Sequence, residues 1–343
     1  RLADFYAPEL LASEEAYHAD GQIRGETYEY GSFLQSRMYA KGVRCSDCHE
    51  PHSGAVREEG NRLCMKCHKP EFDAPSHHFH AAGSAGASCV GCHMPETTYM
   101  QRDARRDHSF SVPSPEFTVR WGVPNACNRC HSDKSSEWAA GYVGRWYGLE
   151  EPLRGRRAAV FAALREGGAQ PSTAAQALLS DPNEPPVARA ALAEMLGPRA
   201  GEPGVGEALI RAFRDADPLV RAGALSRLPS PPSEALVDAA APLLRDSVRL
   251  VRVRAAWALR EANPMRFDGW AAAQEEFAGQ AEASADNADV QFNLGVFWED
   301  RGDLGKAEAA YADALRIEPE SVPALFNRAM VLYQIGRRDE GEA

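Results

Sequence analysis

The pattern of apolar and polar residues divides the chain into two parts. After about residue 153, alanine-rich segments repeat at Val187–Met195, Val220–Leu228 and Val251–Leu259, with offsets of 33 and 31 residues. An aspartate precedes each copy, and we interpret Arg157–Leu164 as a further, degenerate copy. Apolar residues at helical spacing indicate amphipathic helices, and repetition at such periods indicates helices that stack on their neighbours. This part is therefore predicted to be an array of paired helices.

From about residue 266 the repeat length becomes 34 residues. Tyr311 follows Phe277 by 34 positions, and small residues at Gly295 and Ala307 are expected to let two helices approach closely. By this register Gly341–Ala343 would open the second helix of another repeat. Because half a repeat leaves an apolar helix face uncovered, we expect the natural protein to continue beyond this segment.

A single helix is predicted between the two parts, at Ser136–Tyr147. Trp138, Tyr142 and Trp146 recur there at positions i, i+4 and i+8 and form an aromatic stripe on one face. We interpret this stripe as the seam between the amino-terminal part and the helical repeats.

Composition and charge exclude several classes of protein. The 343 residues are 44% hydrophobic and 25% charged, which is typical of a globular protein. No apolar run approaches the 18 residues or so that a membrane-spanning helix needs. The net charge of −11 argues against a nucleic-acid partner, because phosphate binding usually needs a basic surface.

The cysteines carry the chemistry of the amino-terminal part. All 8 form pairs with two residues between them, and a histidine follows each second cysteine directly, although the chain has only 10 histidines. The motifs are Cys45, Cys48 and His49; Cys64, Cys67 and His68; Cys89, Cys92 and His93; and Cys127, Cys130 and His131. This spacing is the attachment motif of c-type haem, in which both sulfurs bind the porphyrin and the histidine binds its iron. The sequence therefore predicts four covalently bound haems c.

Disulfides and zinc sites are the alternatives, but neither requires a histidine after every second cysteine. Covalent haem attachment takes place on the outer side of the cytoplasmic membrane. We therefore expect an exported protein, periplasmic or extracellular, although no secretory signal is visible at residue 1.

Four irons need four further ligands, and six histidines remain, all before residue 109. The expected distal ligands are His18, His52, His80 and His108, which would give bis-histidine coordination throughout. His18 is predicted to follow a helix at Pro8–Tyr17 that Gly21 ends.

His52 is too close to His49 to return to the same iron, so we expect it to reach the haem of the neighbouring motif. The segment His77–His80 supplies one ligand or two, and the choice among its histidines stays open. Met38 and Met100 are weaker candidates, interpreted as packing against porphyrin. Arg102, Arg105 and Arg106 are candidate partners of haem propionates.

The cysteine-rich part resembles the multihaem c-type cytochromes with paired CxxCH motifs, of the tetrahaem cytochrome c554 type. The resemblance covers residues 15–148 and rests on CSDCHEPHS (45–53), CMKCHKP (64–70), CVGCHMP (89–95), DHSF (107–110) and PNACNRCH (124–131). It implies electron transfer through closely stacked haems, with His52 and His108 as distal ligands. The later repeats resemble HEAT-like and then tetratricopeptide repeats.

These observations together predict a mainly α protein: a loop-rich tetrahaem cytochrome domain at residues 1–148, HEAT-like repeats at 149–265 and tetratricopeptide repeats at 266–343. The predicted function is electron transport without catalysis. The repeats are expected to contact other redox proteins or further copies of the chain, and an extracellular filament is one such assembly. The alternative is a multihaem oxidoreductase in which one five-coordinate haem acts on a small nitrogen or sulfur compound.

Overall fold

The computed structural model describes residues 6–148, 153–167 and 171–341. It is mainly helical, which confirms the predicted fold class. Its contacts group the chain into two compact units, Pro8–Met195 and Leu196–Ala343 with Arg1–Ala7. Residues after 148 that precede residue 196 are therefore grouped with the cysteine-rich region. In the described residues, no helix has both the length and the apolar character to cross a membrane.

In the first unit most helices before residue 135 are short. The helices are Glu29–Phe33, Arg37–Ala40, Cys45–Cys48, Arg62–Met65, Pro75–His78, Cys89–His93, Pro115–Trp121, Cys127–Cys130, Ser136–Tyr147, Leu153–Arg165, Pro171–Leu179 and Pro186–Leu196. Two strands, Glu96–Tyr99 and Asp103–Arg106, pair antiparallel with Glu96 opposite Arg106. Proline at the first helical position starts several of these helices, because its fixed φ suits that position and its missing N–H is not needed there.

Apart from the four-residue helix Arg338–Gly341, the helices of the second unit have 7–14 residues and pack on helices nearby in the sequence. They are Val205–Ala212, Pro218–Ser226, Glu234–Ala240, Arg249–Leu259, Trp270–Ala283, Ala288–Asp300, Leu304–Ile317, Val322–Gln334 and Arg338–Gly341. Short 3₁₀ turns lie at Gly197–Arg199, Ala241–Arg245 and Pro264–Arg266, and two more, Pro70–Asp73 and Ala85–Ala87, lie in the first unit.

The repeated segments of the sequence lie on helices. Val187–Met195 lies within Pro186–Leu196, and the two later copies begin within Pro218–Ser226 and Arg249–Leu259. Asp217 caps its helix by accepting the N–H of Leu219 at 2.8 Å, which explains the aspartate before the copy.

Close approach of two helices at Gly295 is also observed. A methyl group on Gly295 would overlap the ring of Tyr311, and Ala307 beside that ring is fully buried. Tyr311 donates a hydrogen bond to Glu299 at 2.7 Å. The glycine therefore makes room for the tyrosine ring, as the sequence indicated. The predicted register at Gly341–Ala343 ends outside the described residues.

The prediction of a helix at Pro8–Tyr17 is wrong. The segment forms turns, in which the Ser13 hydroxyl accepts the N–H of Ala16 at 3.3 Å. Leu11 and Tyr17 are both fully buried although they are six positions apart. Such residues lie on different sides of a helix, so turns bury both where one helix face would not.

Two partly buried arginines join the first helix after residue 152 to the amino-terminal segment. On the helix Leu153–Arg165, Arg154 donates to the carbonyl of Asp20 at 2.6 Å, and Arg165 donates to the carbonyl of Leu11 at 3.0 Å. Arg157 forms an ion pair with Glu184 at 3.2 Å. Burial raises the pKa of the Glu184 carboxyl and lowers that of the Arg157 guanidinium, and each opposite charge counteracts the effect of burial.

We expect Arg157→Ala to lower the free energy of unfolding by about 3–5 kcal/mol, because it leaves the buried Glu184 carboxylate without a partner. Arg156→Ala is the matched control, since Arg156 is exposed on the same helix, and should change stability by about 0.5 kcal/mol or less. Denaturant unfolding of the haem-loaded protein measures both. Equal effects of the two variants would contradict a stabilising role for the pair.

Candidate haem sites

In three motifs both cysteines lie on one short helix, and in the second motif Cys64 lies on the helix Arg62–Met65 and Cys67 in the turn that follows it. The backbone N–H groups of His49, His68 and His131 donate to the carbonyl of the first cysteine of their motifs at 2.8–2.9 Å. Residues three apart share one side of a helix, so both sulfurs of a pair face the same way. None of the eight thiols is buried, and all are free.

The segment around the first two motifs has no protein core. From residue 37 to residue 86 not one side chain is buried, whereas the second unit buries residues such as Leu209, Leu225 and Tyr311 completely. A folded segment of this length normally buries apolar side chains, because their removal from water is the main favourable contribution to folding. The observation fits a segment that packs against prosthetic groups.

Three motif histidines face a second histidine that belongs to no motif. The ring centroids are 6.3 Å apart for His49 and His108, 6.2 Å for His93 and His77, and 6.1 Å for His131 and His80. Two imidazoles on opposite sides of one metal ion, with metal–nitrogen distances of about 2 Å, have ring centroids roughly 6 Å apart. The three pairs therefore have the separation that a shared iron requires.

Hydrogen bonds at Nδ1 orient several of these rings. The Nδ1 atoms of His49, His93 and His108 contact the carbonyls of Gly54, Ser111 and Arg106 at 2.8–2.9 Å. Nδ1 of His80 contacts the carbonyl of His78 in the same manner. A carbonyl at Nδ1 fixes the proton on that nitrogen and leaves Nε2 as the electron-pair donor, as in metal-bound histidines.

The remaining expected ligands lie elsewhere. Within the described part of the chain, neither His18 nor His52 has a ring contact with a motif histidine, and the ring of His68 contacts Phe72 at 6.1 Å but no histidine. His18 is half-buried, and burial lowers its pKa. His52 is exposed, in the loop after the first motif.

Sequence reasoning did not select His77, although the structure places it opposite His93. The signal was present in the sequence, since the segment His77–His80 contains three histidines. Which of them faces a motif histidine depends on the left-handed turn at Phe79, with φ 55°. The sequence does not reveal that turn, because such a conformation is uncommon for a residue other than glycine.

Cysteines of successive motifs lie close to one another. Burial is the main cause of the raised pKa of the Cys48 thiol, and the next is the neighbouring Cys64. The thiols of Cys64 and Cys89 lie close enough for each to shift the pKa of the other. Burial raises the pKa of the Cys92 thiol, and the nearby Cys130 raises it further. Successive motifs are therefore direct neighbours.

Of the three arginines considered for propionates, two already have carboxylate partners. Arg105 pairs with Asp103 at 2.6 Å, and Arg106 pairs with Glu96 at 3.2 Å. Both pairs involve strand residues of the small sheet, so these arginines stabilise the hairpin. The zinc alternative gains no support, because no three His, Cys, Asp or Glu residues among those described converge as metal ligands.

Comparison with known families agrees with this geometry. Residues 38–73 match the family described as doubled CXXCH motif, and residues 57–145 match the cytochrome c552 family. Both matches support a multihaem c-type cytochrome in this region. No curated protein and no solved structure matches the chain.

The cytochrome matches support covalently bound haem c and haem-based electron transfer. The residues present fit the group, because free thiols lie beside histidines whose Nε2 atoms are available, in a segment without a protein core. When bound, a haem supplies a one-electron iron couple, and the histidines around it set the potential.

A test of the ligand geometry uses Gly86. The ring of His80 fills the space that a side chain at position 86 would need. A methyl group on Gly86 would overlap ring atoms Cγ and Cδ2 of His80, so Gly86→Ala should displace this imidazole. We expect one low-spin ferric signal of the cytochrome to be replaced by a high-spin signal in low-temperature electron paramagnetic resonance.

Gly141→Ala is the matched control, since a methyl group there meets only a nitrogen of Arg145 at 3.8 Å. It should keep the wild-type spectrum. A Gly86→Ala protein that also keeps the wild-type spectrum would show that His80 is not a ligand.

Proposed function

We propose that residues 15–148 bind four haems c, one per CxxCH motif, and that this region conducts electrons along them without binding a substrate. The observation that carries the proposal is the set of three histidine pairs at 6.1–6.3 Å. Each pair combines one motif histidine with one histidine from elsewhere. Irons with two histidine ligands have no open position, which suits a carrier.

The order of the motifs in space supports transfer along a chain. The thiols of successive motifs are neighbours, from Cys48 to Cys64, from Cys64 to Cys89 and from Cys92 to Cys130. Groups attached at these positions would follow one another in the same order. Transfer between adjacent groups is then favoured over transfer between distant ones.

For the second motif we propose His52 as the distal ligand. The first motif lies next to the second, and the loop that carries His52 follows the first motif directly. The backbone N–H of His52 donates to the carboxylate of Glu50 at 3.0 Å, which orders the loop and leaves the imidazole exposed. His18 is left out of the ligand set that we propose, and His77 is added to it.

One observation favours the second candidate function, a multihaem oxidoreductase. Among the described residues no histidine ring faces His68, so the second motif is where an open iron would lie. Such a site would bind a small nitrogen or sulfur compound. The cytochrome c552 match is compatible with a carrier and with a nitrite-reducing enzyme.

For the helical repeats we propose contacts with redox partners or with further copies of the chain, of which an extracellular filament is one form. The helix Val322–Gln334 exposes Val322, Phe326 and Tyr333 by 72%, 65% and 55%. Such a face suits contact with another protein as well as packing of a further repeat. Large apolar side chains in one patch are typical of surfaces that bind protein. Because haem c is attached outside the cytoplasm, we propose a periplasmic or extracellular location.

The two candidates predict different spectra for the native protein. The carrier should show four covalent haems in its intact mass, only low-spin ferric signals, and no binding of cyanide or nitrite. His52→Ala should then convert one iron to high spin. His18→Ala is its matched control and should leave the spectrum unchanged.

The carrier would be contradicted if the wild-type protein showed a high-spin signal of one iron. Cyanide would remove that signal, and His52→Ala would not increase it. This result would support the oxidoreductase with its site at the second motif. An intact mass with fewer than four haems would contradict the haem count directly.

A further inference from the structure

One four-residue segment serves two of the proposed irons. His77 faces His93 of the third motif, and His80 faces His131 of the fourth, with Phe79 between them in the chain. The carbonyl of His78 contacts Nδ1 of His80, so the backbone of the segment also orients a ring. A displacement of this segment would therefore affect both sites at once.

Phe79 has an unusual backbone conformation for its residue type. It ends the helix Pro75–His78 in the left-handed region, with φ 55° and ψ 27°. This conformation is unfavourable for a residue with a Cβ atom and needs support from surrounding contacts. The turn separates the directions of His77 and His80. Positions three apart on a continuous helix would share one side.

The support comes from the aromatic stripe of the helix Ser136–Tyr147. The rings of Phe79 and Trp146 stack with centroids 4.4 Å apart and planes 3° from parallel. The ring of Tyr147 lies 5.8 Å from Phe79 and 6.0 Å from His77, and its hydroxyl donates to the carbonyl of His77.

The other end of this helix is fixed to the fourth motif. Trp138 packs on the ring of His131 at 5.1 Å, and Ser135 caps the helix by accepting the N–H of Trp138 at 3.2 Å. Tyr142 lies between the two tryptophans, 4.6 Å from Trp138 and 5.5 Å from Trp146. The helix thus spans from a motif histidine to the segment that faces it.

We propose that Trp146 is a positioning residue for two distal ligands: stacked on Phe79, it holds the left-handed turn that directs His77 and His80 toward separate irons. This inference rests on the ligand pairs of the proposed function. It assigns the aromatic stripe a structural task inside the proposed haem-binding region.

The ligand pairs are tested first, with His77→Ala and His80→Ala. Each should release one iron, which electron paramagnetic resonance detects as one high-spin equivalent and cyanide titration as one binding site. If both variants keep the wild-type spectrum, the ligand assignment fails, and the role of Trp146 fails with it.

Trp146→Ala should then give up to two high-spin equivalents and up to two cyanide sites, although it alters no ligand. Trp146→Phe keeps a flat ring and should restore most of the wild-type spectrum. Trp121→Ala is the matched control, because Trp121 is a partly exposed tryptophan that packs on Phe117 at 5.2 Å and should leave the irons unchanged.

Phe79→Asn distinguishes the effect of ring stacking from the effect of the backbone conformation. Asparagine tolerates the left-handed conformation but has no ring to stack. This variant also tests the stacking role if Trp146→Ala does not fold, because Phe79 is 40% exposed and its replacement disturbs no core. High-spin signals in Phe79→Asn support the stacking role. Wild-type spectra in Phe79→Asn, with the two histidine variants behaving as expected, would overturn the proposal and leave the ligand pairs intact.

Discussion

The amino-terminal region depends on burial that its own side chains do not provide. Over residues 37–86 no side chain is fully buried, although the segment contains defined helices and turns. The hydrophobic effect stabilises a fold only through apolar surface removed from water. On our account that surface belongs to porphyrins, which the cysteines attach covalently, so folding and cofactor binding are one process in this region.

The same constraint explains how the histidines are arranged. An imidazole whose Nε2 side faces a porphyrin has no protein neighbours on that side. Its orientation must therefore be fixed by contacts on the opposite side of the ring. Carbonyls at Nδ1 do this for His49, His93 and His108, and Gly86 leaves room for the ring of His80. The second unit follows a different principle, in which small residues such as Ala307 let helices bury one another's apolar faces.

The sequence predicted those features that depend on local spacing. The four CxxCH turns, the helices of the repeats, the close approach at Gly295 and the helix Ser136–Tyr147 all follow from residue types at fixed intervals. It predicted less well what depends on contacts between distant segments. The turns around Leu11, the pairing of His93 with His77, and the packing of the aromatic stripe on Phe79 arise from tertiary contacts that periodicity does not encode.

Hydrogen exchange followed by mass spectrometry tests the central claim most directly, on the native protein and on protein produced without haem attachment. Our account predicts that backbone amides of residues 37–86 are protected in the native protein and lose that protection without haem. Amides of residues 205–341, which have a protein core, should be protected equally in both forms. Equal protection of residues 37–86 in the two forms would contradict the claim that porphyrin forms the core of this region.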